Sequence, residues 1–115
     1  MNKAQILETA DKIEKMPHIV GNEEAYKKYG PPAVFDMNSS HCGSAACIGG
    51  LVQWEIKDWD SRIEEAVAIH FEVPLYQANA ICYPDSPESY TEITPQQAAD
   101  MLRRLAETGE VDWRL

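Results

Sequence analysis

Two adjacent glycines, Gly49 and Gly50, lie inside the most apolar stretch of the chain, and this pairing constrains the fold more than any other feature. From Ala45 to Ile56 the apolar positions are Ala45, Ala46, Cys47, Ile48, Leu51, Val52, Trp54 and Ile56. They run nearly all round a helical wheel, the pattern of an enclosed helix rather than a surface one. Each glycine disfavours such a helix by about 1 kcal/mol relative to alanine. A helix that keeps both is expected to use their missing side chains to let another backbone approach. Asn38, Ser39 and Ser40 form a turn-prone cluster ahead of it, and Ser44 is the expected N-cap.

The remaining helices follow from spacing and stop signals. Ile6, Leu7, Ala10, Ile13 and Met16 define one face of a helix over 3–16 that Pro17 ends. Residues 17–43 are the least regular part, with a short extended run at 18–21 and two helical turns over 22–29. The Pro31-Pro32 pair then enforces an extended path, and 33–37 reads as a short strand. Ser61 and Glu64 have capping-box spacing for a helix over 61–72. Pro74 fits the first turn of a short helix over 74–82. Residues 84–93 read as a surface loop. Thr94-Pro95-Gln96-Gln97 is the clearest helix start in the chain, and Gly109 the stop. Val111-Asp112-Trp113 is expected to be extended and to pair with 33–37.

These elements fit one mainly α domain over 1–115: a compact bundle of about five helices around a central buried helix, 45–56, with at most one two-stranded β patch. A length of 115 residues suits a single domain with a real core. No apolar run approaches the length of a membrane span, and the amino end lacks a signal-peptide core. A cytoplasmic location is therefore expected, with no membrane partner. The three cysteines exclude a fully paired disulfide framework.

The net charge is −9, and residues 39–115 carry thirteen acids against five bases. Such a surface repels phosphate backbones, so direct nucleic-acid binding is not expected. The excess acid reads as solubility or as mimicry of nucleic acid toward a basic cleft on another protein.

Four groups of residues merit a chemical reading. Cys42 before a helix would gain acidity from free amides, with His41 or His70 as base and Asp85 to orient the imidazole. Its bland reading is a small residue near a cap. His41, Cys42, Cys47, His70 and Cys82 have poor zinc spacing; Cys47 and Cys82 read as core filling, and no metal or cofactor is expected. Asp58, Asp60, Glu64 and Glu65 are accounted for by a helix start. Among the aromatics, Trp54 reads as core, while Trp59 and Tyr83 flank loops and suit a contact surface for a partner protein.

The run His41-Cys42-Gly43-Ser44-Ala45-Ala46 resembles the nucleophile segment of papain-like peptidases, including those that process bacteriocin leaders. That likeness implies a cysteine-dependent hydrolase or acyl transferase. It covers six residues, and His70 follows in an expected helix where those enzymes use a strand. Three further segments, FDM (35–37), CGSAACIGG (42–50) and ITPQQAADMLRRLAETGEVDW (93–113), resemble a family of small uncharacterised proteins of bacteria and their phages. Ser44 stands where many of those relatives have threonine. The likeness implies a helical fold and a phage or mobile-element connection, without a mechanism or site residues. The leading expectation is a non-catalytic protein-binding module. The alternatives are the Cys42 enzyme and the acidic mimic.

Overall fold

The computed structural model describes residues 1–85 and 89–113. It is mainly α, with five helices: α1 (Lys3–Glu14), α2 (Ile48–Ile56), α3 (Ile63–Phe71), α4 (Leu75–Cys82) and α5 (Pro95–Thr108). Two residues each form β1 (Val34–Phe35) and β2 (Ala45–Ala46), which pair in parallel with Val34 opposite Ala45 and Phe35 opposite Ala46. Short 3-10 turns occupy Glu23–Lys27 and Tyr90–Glu92. Among the described residues no helix is long and apolar enough to cross a membrane.

The last helix follows its sequence signals closely. Thr94 Oγ1 accepts from the Gln97 amide at 3.1 Å, and Gln97 Oε1 accepts from the Thr94 amide at 2.8 Å. Gly109 closes the helix at φ +80°, a conformation that glycine enters without penalty. The stripe Ala98, Ala99, Met101, Leu102 and Leu105 is fully buried, as are Ile6, Ala10 and Ile13 of α1. These two helices make the most extensive helix pairing in the domain. Arg103 bridges them at the rim, reaching Asp11 at 2.9 Å and Glu14 at 2.6 Å. Such exposed pairs add at most about 1 kcal/mol, so apolar burial holds the helices together. Replacing Thr94 by Ala should remove about 1 kcal/mol of stability, measurable as a lower midpoint in urea with an unchanged slope.

The glycine helix is shorter than its apolar pattern implies. It begins at Ile48, and the first half, Ile48–Val52, is buried while Gln53–Ile56 are half-exposed. Ala45 and Ala46 belong to β2, and Cys47 rather than Ser44 is the N-cap, its Sγ accepting from the Gly50 amide at 3.3 Å. The Ser44 hydroxyl instead donates to the Ala25 carbonyl. The expected close approach is present. A Cβ on Gly49 would lie 2.7 Å from Ile63 Cβ, and one on Gly50 would collide with the Ser40 carbonyl oxygen. The packing around α2 comes from α3, α4 and β2, while α1 and α5 form a second layer joined to it through α3.

The strand pairing departs from the expected partner. Val111–Trp113 is not a strand; its polar groups are engaged elsewhere. Arg104 Nη2 donates to the Asp112 carbonyl at 2.8 Å, and Trp113 Nε1 donates to the Ala80 carbonyl at 2.8 Å. Residues 33–36 take β2 on one side and residues 17–19 on the other. Phe35 N donates to the Pro17 carbonyl, Ile19 N to the Phe35 carbonyl and Asp36 N to the Ala46 carbonyl. Residues 17–47 are thus an ordered lobe with its own small core of Ile19, Ala25, Ala45 and Val34.

The cap before α3 also differs. Arg62 N is bonded by Glu65 Oε1 at 3.4 Å, and Glu64 turns inward, 7% exposed, to accept from the Tyr83 hydroxyl at 3.0 Å. Asp58, not Ser61, organises the preceding turn, accepting from the amides of Asp60 and Ser61.

Candidate functional site

Four aromatic rings beside α2 form a row. Tyr29, His41, Trp54 and Trp59 follow one another with ring centroids 5.7, 5.3 and 5.6 Å apart, the last two contacts edge-on at 70° and 72°. These are favoured separations and angles for aromatic pairs. Tyr29 is 84% exposed and Trp59 is 58% exposed, while Trp54 is half-buried between its neighbours.

Each member of the row is placed by local chemistry. Tyr29 stands just past the 3-10 turn and before the Pro31-Pro32 pair. The His41 ring is tied to the Gly30 carbonyl through Nε2 at 2.9 Å; a carbonyl only accepts, so this nitrogen carries the proton. Trp54 sits in the last turns of α2. Lys57 then adopts a left-handed conformation, φ 54°, which ends the helix and carries the chain out to Trp59. The Ser61 hydroxyl and amide beside Asp58 hold its carboxyl below the usual carboxylate range. Asp58 is thereby explained as a turn-former.

In the 17–47 lobe, Asp36 is buried at 1% exposure, and no ion pair reaches it among the described residues. Its carboxylate accepts from the Asn38 amide at 3.0 Å and from the Tyr26 hydroxyl. Burial, reinforced by the bond to Asp36, pushes the Tyr26 hydroxyl up to about 12. Burial and Glu64 push Tyr83 up to about 12 as well. A raised folded-state value means stability that is complete below the unfolded tyrosine value, about 10, and is lost as pH rises through the folded one. Tyr26→Phe should weaken the fold by about 1 kcal/mol at neutral pH. It should also flatten part of the decline between pH 10 and 12, with the share due to Tyr83 remaining. Denaturant titrations at a series of pH values read both effects.

The sequence-derived catalytic group is not assembled. Cys42 is exposed and lies in a turn, its N donating to the Ala45 carbonyl and its carbonyl accepting from Ala45 N, five residues before the helix cap at Cys47. Helix-terminal amides therefore serve Cys47, not Cys42. His41 is turned to the Gly30 carbonyl. His70 belongs to α3, with Nε2 buried and 3.5 Å from Glu55 Oε2, and Glu55 is itself bonded by Lys12 at 2.7 Å. Asp85 is exposed. Among the described residues no hydrogen bond links Cys42 to either imidazole or Asp85 to either one. Nor is any group of three His, Cys, Asp or Glu side chains arranged to hold a metal ion among the described residues. Brief alkylation of the folded protein should therefore label Cys42 alone and leave Cys47 and Cys82, each 2% exposed, until denaturant is added. Peptide mapping distinguishes these sites.

Sequence reasoning placed Trp59 at the surface but assigned Trp54 to the core. The row requires His41 and Tyr29 to come alongside α2, which is set by the path of the 17–47 lobe. Asp36 carries no local signal: it stands between Phe35 and Met37, and its burial depends on Tyr26, ten residues earlier in the chain. No protein-family model, curated protein or solved structure matches this chain.

Proposed function

We propose that this is a non-catalytic module that binds another protein through the aromatic row Tyr29–His41–Trp54–Trp59. The observation that carries the reading is the row itself. Rings already held against one another, with Tyr29 and Trp59 at the two ends largely exposed, have less ordering entropy to lose on association, and Trp and Tyr dominate the energetics of protein contacts. The acid excess of the surrounding chain favours a partner with a basic rim around an apolar centre. We place its action in the cytoplasm, where cysteines stay reduced. The sequence likeness to small bacterial and phage proteins supports a phage- or mobile-element-related role.

Two features weigh against the other readings. An enzyme built on Cys42 needs a base in reach, whereas His41 is tied to the Gly30 carbonyl and His70 Nε2 is buried beside Glu55. A nucleic-acid mimic needs a continuous acidic face from 55–72 and 85–92. Glu55 is engaged by Lys12 and Glu64 is buried, while residues 86–88 of that face lie outside the described residues.

The test compares capture by three immobilised forms from an extract of a native host, read by quantitative mass spectrometry. A protein retained by the wild type and by Tyr76→Ala, an exposed aromatic off the row, should be lost with the double variant Tyr29→Ala, Trp59→Ala. Both replaced side chains are largely exposed, so at about 0.5 kcal/mol per surface change and about 1 kcal/mol per lost ring contact the variant should stay folded. Equal retention by all three forms would refute the assignment.

A further inference from the structure

A second site lies where the first turn of α2 meets the end of α4. A cleft of about 170 Å³ there is lined by Met37, Ser39, Cys47, Cys82 and Tyr90, among others. Three of these residues carry sulfur, and they come from distant parts of the chain: the lobe, the α2 cap and the last residue of α4. The two thiols flank adjacent glycines. Cys47 Sγ lies 3.3 Å from the Gly50 amide, and Cys82 Sγ lies 3.3 Å from the position a Cβ on Gly49 would take. Ser39 is fastened next to Cys47, its carbonyl accepting from Cys47 N at 2.7 Å. Its hydroxyl is buried and has no hydrogen-bond partner among the described residues. Core filling explains an inert cysteine. It does not explain two thiols, a thioether residue and an unsatisfied hydroxyl around one opening.

We infer that this cleft binds a single soft monovalent metal ion, Cu(I) or Ag(I), through the thiolates of Cys47 and Cys82 with Met37 as a third donor. Thiolate and thioether sulfurs select such ions. Zinc takes four ligands, drawn from thiolates, imidazoles and carboxylates, and no third residue of that kind joins the two cysteines among the described residues. Each thiol gives its proton to solvent as its sulfur takes the ion, and the metal keeps its oxidation state. The bound centre carries one net negative charge. The Gly50 amide, the amino end of α2 and the free Ser39 hydroxyl are the groups positioned to offset it.

The experiment is an anaerobic titration of the reduced full chain with Cu(I) supplied as its bicinchoninate complex. Native mass spectrometry should show one ion per chain, and X-ray absorption should show a shell of sulfur alone. Cys47→Ser and Cys82→Ser should each weaken binding by more than about 100-fold, since even partners one step removed from an ion are worth 10–100-fold. Met37→Leu should weaken it less, and Cys42→Ser should leave it unchanged. Circular dichroism checks that each variant is folded; the sulfur shell of the wild-type complex stands whether or not the serine variants fold. No complex, a nitrogen or oxygen shell, loss of binding in Cys42→Ser alone, or displacement of the ion by equimolar Zn(II) would each overturn the assignment.

Discussion

Gly50→Ala should destabilise the domain by about 3 kcal/mol or more, although alanine is the better helix former by about 1 kcal/mol. The two effects oppose each other, and geometry decides between them. The added methyl would occupy the place of the Ser40 carbonyl oxygen. That atom belongs to backbone held on both sides: Ser39 bonds Cys47 and Asp36, and Cys42 bonds Ala45. It has no flexible side chain to yield. Relief requires α2 to move away from the lobe, which would separate the Cys47 cap from the turn that positions it. Gly49→Ala is the informative companion. Its Cβ would meet Ile63 Cβ at 2.7 Å, an atom fixed to the backbone of α3, so that helix must give way; the overlap is smaller than the one with the Ser40 carbonyl, and so should be the loss. Thermal and urea unfolding followed by circular dichroism measure both. A Gly50→Ala protein as stable as the wild type would show that the helix and lobe are not in close contact.

Phe35→Ala should lower stability by about 3–5 kcal/mol, the usual range for a buried phenylalanine. Phe35 is fully buried in the main core. Its backbone is bonded to residues 17 and 19 on one side, and its neighbour Asp36 is bonded to β2 on the other. The ring thus fixes the lobe onto the helices as well as filling space. Truncation leaves a cavity whose walls belong to different layers and cannot collapse together. A shift of the urea midpoint with an unchanged slope would indicate an intact native state of lower stability. A reduced slope would indicate that residues 17–47 have already come loose.

The helical part of this fold was legible because its signals are local. Thr94, Pro95, Gln97 and Gly109 mark α5 within a few residues, and the spacing of Ile6, Ala10 and Ile13 marks α1. The lobe was less legible because its structure depends on partners far along the chain. Ala45 and Ala46 fit a helical wheel as well as they fit a strand, and only the neighbouring backbone of Val34 and Phe35 decides between the two. Once these alanines are extended, the cap moves from Ser44 to Cys47. The same shift removes Cys42 from the helix terminus that gave it chemical interest. Trp54 was misplaced for a related reason: an apolar wheel shows that a residue can be buried, not that another element arrives to cover it.

The pairing of α1 with α5 has a consequence for synthesis in the cell. The first of these helices leaves the ribosome with its apolar stripe lacking its main partner, which begins only at Pro95. Until then that stripe, and much of the core it completes, must stay soluble by other means. Nascent chains halted before residue 95 should therefore be protease-sensitive and bind chaperones, and protection should appear only once α5 has cleared the exit tunnel.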